Sequence, residues 1–208
     1  VPPAALAAFE RGAKLSREGK PREAAAELRE AVRLFPDYFV AHFTLGAELL
    51  KAGDHQGAIK EFDEARRINP KGDAVYGAFG AVMMLQRKFA VAAAVYAEAA
   101  RLAPRKAQYQ LFRGTALVDH AVTLAPASAE RRQALDAAEA ALRKAFELSN
   151  RRLSAVHQQL ARVYERRGEP ARAADELEKY LRANPGHKNA EALRQAVKTL
   201  RAAAPQKP

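Results

Sequence analysis

The chain has 208 residues, a net charge of +11, 49% hydrophobic residues and no cysteine. Zero cysteines exclude a disulfide framework and any thiolate metal centre. No run approaches the roughly 18 to 20 apolar residues that a membrane span requires.

The charge is uneven. Residues 1–100 carry 14 Lys+Arg against 13 Asp+Glu, whereas residues 101–208 carry 21 against 11. Such an excess draws acidic proteins, nucleic acid or anionic lipid, or else it is simply a solvated, arginine-rich surface. A start at Val1-Pro2-Pro3 rather than Met is expected of a chain whose upstream segment was removed or lies outside this sequence. A soluble protein, either cytoplasmic or exported to a periplasm, is therefore expected.

In chain order the sequence reads as helix pairs. A first helix over 5–17 stops at Glu18-Gly19-Lys20-Pro21, where Gly19 suits a left-handed helix end and Pro21 a first helical turn. The second, over 22–34, stops before Pro36, because the residue preceding a proline disfavours the helical region. The next pair spans 40–52 and 56–68, with Asp54 as the N-cap between them and Asn69-Pro70 as the stop. A third unit runs over 73–104, broken at Gln86-Arg87-Lys88. A fourth reads as two long helices, 107–124 and 128–148, and a fifth covers 154–185 with its break at Arg167-Gly168-Glu169-Pro170. A last helix reaches residue 203, with Ala192, Leu193, Ala196, Val197 and Leu200 on one face, and a frayed tail follows.

The units share a fixed interval. Pro36, Pro70 and Pro104 are 34 residues apart, as are Gly12, Gly46, Gly80 and Gly114. Ala24, Ala58, Ala92, Ala138 and Ala173 form a second row, and Leu28, Phe62, Tyr96, Leu142 and Leu177 a third. A period of this size means stacked supersecondary units rather than one globular core. The fourth unit breaks it: Gly114 to Ala138 spans 24 residues where Gly46 to Ala58 spans 12. The 12 extra residues fall near 119–133, and six more residues per helix lengthen each by roughly 9 Å.

These rows resemble the tetratricopeptide repeat. The second unit supplies His42, Leu45, Gly46, Leu49, Gly53, Ala58, Phe62, Ala65 and Pro70. The third supplies Tyr76, Phe79, Gly80, Met83, Ala92, Tyr96, Ala99 and Pro104, and the fifth His157, Leu160, Ala161, Tyr164, Ala173, Leu177 and Pro185. The resemblance implies an all-α fold: an α-solenoid, a right-handed superhelix of five antiparallel helix pairs with a C-terminal capping helix. It implies one repeat domain over 1–208, with units of about 5–38, 39–72, 73–106, 107–152 and 153–187, a cap of about 188–203 and a tail of 204–208.

In this family the first helices line a concave groove. Carried over by repeat position, that groove comprises Phe9, Val40, Phe43, Thr44, Leu50, Gly77, Ala78, Met84, Leu85, Leu111, Phe112 and Val118, followed by a polar end at Gln158, Gln159, Arg162 and Arg166. An apolar groove suits an amphipathic helix or extended peptide with hydrophobic anchors, so the expected role is a non-catalytic scaffold for a protein or peptide. One subclass holds chaperone C-terminal carboxylates through Lys, Asn and Arg. The corresponding positions here are Phe9, Ala13, Thr44, Ala74 and Ala78, so that function is not expected.

No catalytic, cofactor or metal constellation stands out. His42 and His157 share a repeat slot that calls for a bulky packing residue, and His55 and His187 fall at turns. Asp63-Glu64 and Asp175-Glu176 read as solvated helix charges forming i,i+4 pairs. Two alternatives to groove binding remain. One is electrostatic capture of nucleic acid or an anionic membrane by Arg143, Lys144, Arg151, Arg152, Arg162, Arg166 and Arg167. Few aromatics interleave with these, which disfavours stacked single strands. The other is self-association into a homo-oligomer.

Overall fold

The computed structural model describes residues 1–204, so the tail expected over 205–208 lies outside the described residues. The described residues form eleven α-helices and no strand: α1 (Pro3–Arg17), α2 (Pro21–Leu34), α3 (Phe39–Lys51), α4 (His55–Ile68), α5 (Asp73–Leu85), α6 (Phe89–Leu102), α7 (Ala107–Thr123), α8 (Ala129–Leu148), α9 (Ala155–Arg167), α10 (Pro170–Ala183) and α11 (Ala190–Ala203). The fold class is all-α, with helix pairs stacked in the manner of an α-solenoid. The chain divides into two compact units, Val1–Arg87 and Lys88–Pro208.

In the first unit α1 packs on α2 and α3 on α4; α3 also touches α1, α2 and α5. The small rows set these distances. A Cβ built on Gly46 would stand 2.6 Å from the Phe62 ring, and one on Gly12 would stand 2.7 Å from Leu28 Cγ. No real Cβ tolerates such an approach, so glycine lets the two helices close until Phe62 and Leu28 are wholly buried. Burying one such side chain is worth about 1.5–3 kcal/mol. Phe62 also meets the rings of Phe43 and Phe79, with centroids 5.8 and 6.2 Å away. Helix α4 starts where Asp54 accepts a 2.8 Å hydrogen bond from the Gly57 amide. Its predecessor α3 ends at Gly53, whose φ of 85° places it in the left-handed region.

In the second unit α7 packs on α6, α8 and α9, while α10 packs on α9 and α11. Helices α7 and α8 are the longest of the described chain, with 17 and 20 residues against 13 in α9. A continuous core joins Val118, Ala121, Leu135, Ala138 and Leu142 of this pair to Val156, Leu160, Val163 and Tyr164 of α9 and Ala173 of α10. Gly114 repeats the close approach, its notional Cβ being 2.6 Å from Leu142 Cγ. The α8 end has no glycine, and both Asn150 and Arg151 take positive φ, 52° and 61°.

Candidate functional site

The expected groove residues separate into two groups, one in each unit. In the first unit α1, α3 and α5 are neighbours, and α5 carries a single charged residue, Asp73, among 13. Two of its expected groove residues are open to solvent: Val40 on α3 is 46% exposed and Leu85 at the end of α5 is 59% exposed. Thr44, Leu50, Ala78 and Met84 are half-buried. Thr44 turns its hydroxyl back to the Val40 carbonyl at 2.7 Å, which spends its donor within the helix. Phe9 and Phe43 serve packing more than access. Phe9 lies against Ala8, Ala31 and Ala41 and its ring is 5.3 Å from Tyr38; Phe43 lies between Phe39 and Phe62.

The second unit departs further from expectation. Val118 is 0% exposed and belongs to the core between α7, α8 and α9, so it offers no surface. The cause is the length of α7, which carries Val118 and Asp119 against α9. There the Arg162 guanidinium donates to Asp119 at 2.5 Å and to Gln159 at 2.8 Å. Leu111 packs beside the same core, and Phe112 lies 5.3 Å from the Tyr96 ring. Gln158 is half-buried and Arg166 is exposed.

Several of the arginines expected to form a free basic surface are tied down. Glu139 on α8 accepts hydrogen bonds from the Tyr164 hydroxyl at 2.8 Å, from Arg143 at 2.7 Å and from Arg167. Arg172 stacks over the Tyr164 ring at 4.0 Å. Burial opposes the charged carboxylate, but the hydrogen bonds from Tyr164, Arg167 and Arg143 outweigh it and hold the Glu139 pKa down at about 2. This clamp joins α8, α9 and α10. Sequence reading missed it because the partners are 4 to 33 residues apart and follow no repeat interval.

The two packing histidines also prove polar. His42 sits between the Glu61 carboxylate, 2.7 Å from Nδ1, and the Pro36 carbonyl, 2.8 Å from Nε2. Both partners are acceptors, so the ring is best served as an imidazolium donating twice. Burial opposes that charge, but the bonds to Glu61 and Pro36 prevail and raise the His42 pKa. His157 repeats the carboxylate contact, with Glu176 2.6 Å from its Nδ1. Glu176 is therefore buried, also accepting from Lys179 at 2.7 Å, and is not the solvated charge expected from its sequence neighbours. The other three acids are solvated as expected, but their arginine partners are not at the expected i,i+4 spacing: Asp63 pairs with Arg66 and Glu64 with Arg67 at i,i+3, and Asp175 with Arg201 of α11.

Among the described residues no group of three His, Asp or Glu side chains is placed to hold a metal ion, and no helix is long and apolar enough to cross a membrane.

The comparisons with known proteins agree with this architecture. Two sequence models of the tetratricopeptide repeat match, one over residues 9–73 and the other over 154–199, together more than half of the chain. No curated protein matches the sequence. Among solved structures the chain is similar to MamA (residue 41 to its end) from Desulfovibrio magneticus RS-1, with 21% identity over 90% of this chain and 98% of that one and a TM-score of 0.77. It is similar to YrrB, described as a TPR protein with an unusual peptide-binding site, at 16% identity over 92% of each chain and a TM-score of 0.71. It is also similar to PilW, described as a widely conserved type IV pilus biogenesis factor, at 16% identity over 97% of this chain and 92% of that one, with a TM-score of 0.74. With its glycine and alanine rows closing helix on helix and its repeats matched in both units, the chain belongs to the tetratricopeptide repeat family.

Proposed function

We propose that the protein is a non-catalytic interaction scaffold that takes a peptide or helix with hydrophobic anchors on the first helices of its repeats. The observation that carries this reading is the exposure of Val40 on α3 and Leu85 on α5, where α5 holds one charged residue and the Glu48 and Lys51 charges of α3 pair with each other. Half-buried Met84, next to Leu85 in the chain, adapts its shape to varied anchors. The similarity to YrrB, a protein described as having a peptide-binding site, supports the same class of role.

The test is affinity capture from the native host with the wild-type chain and with Val40→Glu plus Leu85→Glu. These two residues are preferable to Phe43 and Phe112, whose rings the fold needs. Partners held by apolar anchors are expected to survive high salt on the wild type and to be lost from the variant. Recovery of the same partners by both chains would remove the proposal. Self-association through this face predicts instead a sedimentation coefficient that rises with concentration and stops rising in the variant.

A further inference from the structure

The residues that lengthen the fourth repeat also build a cleft. Pro126, in the turn before α8, and Arg131 and Arg132, in the first turn of α8, come from the 12 residues beyond the repeat period. With Leu135 and Asp136 of α8, Arg166 and Arg167 of α9, and Glu169 beyond it, they enclose about 370 Å³.

The charges of this lining do not balance. Asp136 accepts from Arg167 at 2.5 Å, and Glu169 accepts from Arg172, so both carboxylates are already engaged. Arg131, Arg132 and Arg166 have no carboxylate partner among the described residues. The Arg131 guanidinium reaches only the Arg166 carbonyl, at 3.4 Å, and its Nε is buried with no partner among the described residues. Arg132 reaches only the Ala127 carbonyl, at 3.3 Å. Three guanidinium groups thus border one concavity without a counter-charge, and a buried donor left unmatched calls for an explanation.

We propose that this cleft binds an acidic segment of a protein partner, with a side-chain carboxylate meeting Arg131, Arg132 and Arg166 and an adjacent apolar residue against the exposed Pro126. Guanidinium forks match a carboxylate in a two-point fashion. Asp136 and Glu169 line the same cleft and interrupt its positive surface, so a single carboxylate fits it better than a continuous phosphate strand. The cleft lies wholly in the second unit and does not depend on the apolar face of the first.

The experiment is fluorescence anisotropy on the full chain, titrated against a short labelled peptide alternating glutamate and leucine. Binding is expected, and Arg131→Gln plus Arg166→Gln is expected to weaken it by about tenfold. Arg105→Gln plus Arg152→Gln removes equal charge elsewhere on the same unit and is expected to change binding by less than about twofold. Circular dichroism melts of each variant guard against a folding failure, and the milder Arg132→Gln, at an exposed position, is expected to cost about threefold. The Val40→Glu plus Leu85→Glu chain should bind the acidic peptide like wild type, which keeps the failure of one reading distinct from the failure of the other. The proposal is overturned if the acidic peptide does not bind or if its glutamine counterpart binds as well. It is equally overturned if both arginine pairs weaken binding alike, or if a labelled single-stranded oligothymidylate binds more tightly and is lost with the cleft pair.

Discussion

Helices α5 and α9 occupy the same place in their repeats and differ in almost everything but what they bury. Helix α5 has one charged residue, while α9 carries Arg162, Glu165, Arg166 and Arg167 on a helix of the same 13-residue length. Both nevertheless bury a small residue at the same slot, Gly80 in one and Ala161 in the other. Stacking constrains only the face that meets the next helix, and the remaining positions are free to become apolar in one unit and ionic in the other. The first unit is held by aromatic rings closing over small residues. The second adds a carboxylate shared among several arginines.

Four substitutions sharpen or break that contrast. Gly46→Val drives a side chain into the Phe62 ring and is expected to cost about 3 kcal/mol in urea denaturation, with little dependence on salt. A loss below about 0.5 kcal/mol would mean that α3 and α4 are not locked by this approach. Glu139→Gln is expected to cost about 2 kcal/mol, because it leaves Arg167 short of its partner at a site where both side chains are less than 20% exposed. Hydrogen exchange should locate that loss in the second unit. The folded-state pKa of Glu139 lies below the ordinary 4.5, so its contribution is present above 4.5 and is lost as pH falls toward about 2. Protection in the second unit of the wild type should accordingly drop over that acid interval, and the Glu139→Gln chain should lack that part of the drop.

His42→Leu tests a polar device inside the apolar unit. The folded-state pKa of His42 is raised, so its contribution is full below 6.5 and is lost as pH rises through the higher folded-state value. The stability gap between wild type and His42→Leu, about 1 kcal/mol or less, should shrink as pH rises past 6.5. A gap that is flat with pH would mean that the ring is neutral in the fold. The smallest effect is expected at Arg151, where φ is 61°. Arg151→Gly should raise stability by about 0.5 kcal/mol, since relief of left-handed strain slightly exceeds the entropy glycine adds to the unfolded chain.

The repeat architecture was legible because Gly46, Ala58 and Phe62 recur at one interval, and periodic demands leave periodic residues. Burial at Val118 was not, because it follows from the extra length of α7 and the helix that this length reaches, neither of which repeats. The Glu139 clamp was hidden for a similar reason: Tyr164, Arg167 and Arg172 come to it from elements that the insertion has moved out of register. The histidine pairs were missed although they left a signal. His42 to Glu61 and His157 to Glu176 both span 19 residues, and a recurrent His-to-Glu spacing between facing slots marks an internal hydrogen-bonded pair. The Arg131 cleft gave no such sign, since Arg131, Arg132 and Arg166 have no carboxylate partner among the described residues and so leave no paired spacing to read.

The unusual length of α7 and α8 bears on how the protein assembles itself. Where every unit is alike, a growing chain can dock one element against the wrong copy and lose little, which is why tandem arrays are prone to misassembly and exchange. The long pair abolishes that ambiguity at one point. Helix α9 shares the core of Val118 through Val156 and Val163 and meets Asp119 through Arg162, so a shifted alignment would strand a buried valine and an aspartate together. The odd-sized unit thus works as a key in an otherwise interchangeable series, fixing which neighbour belongs next.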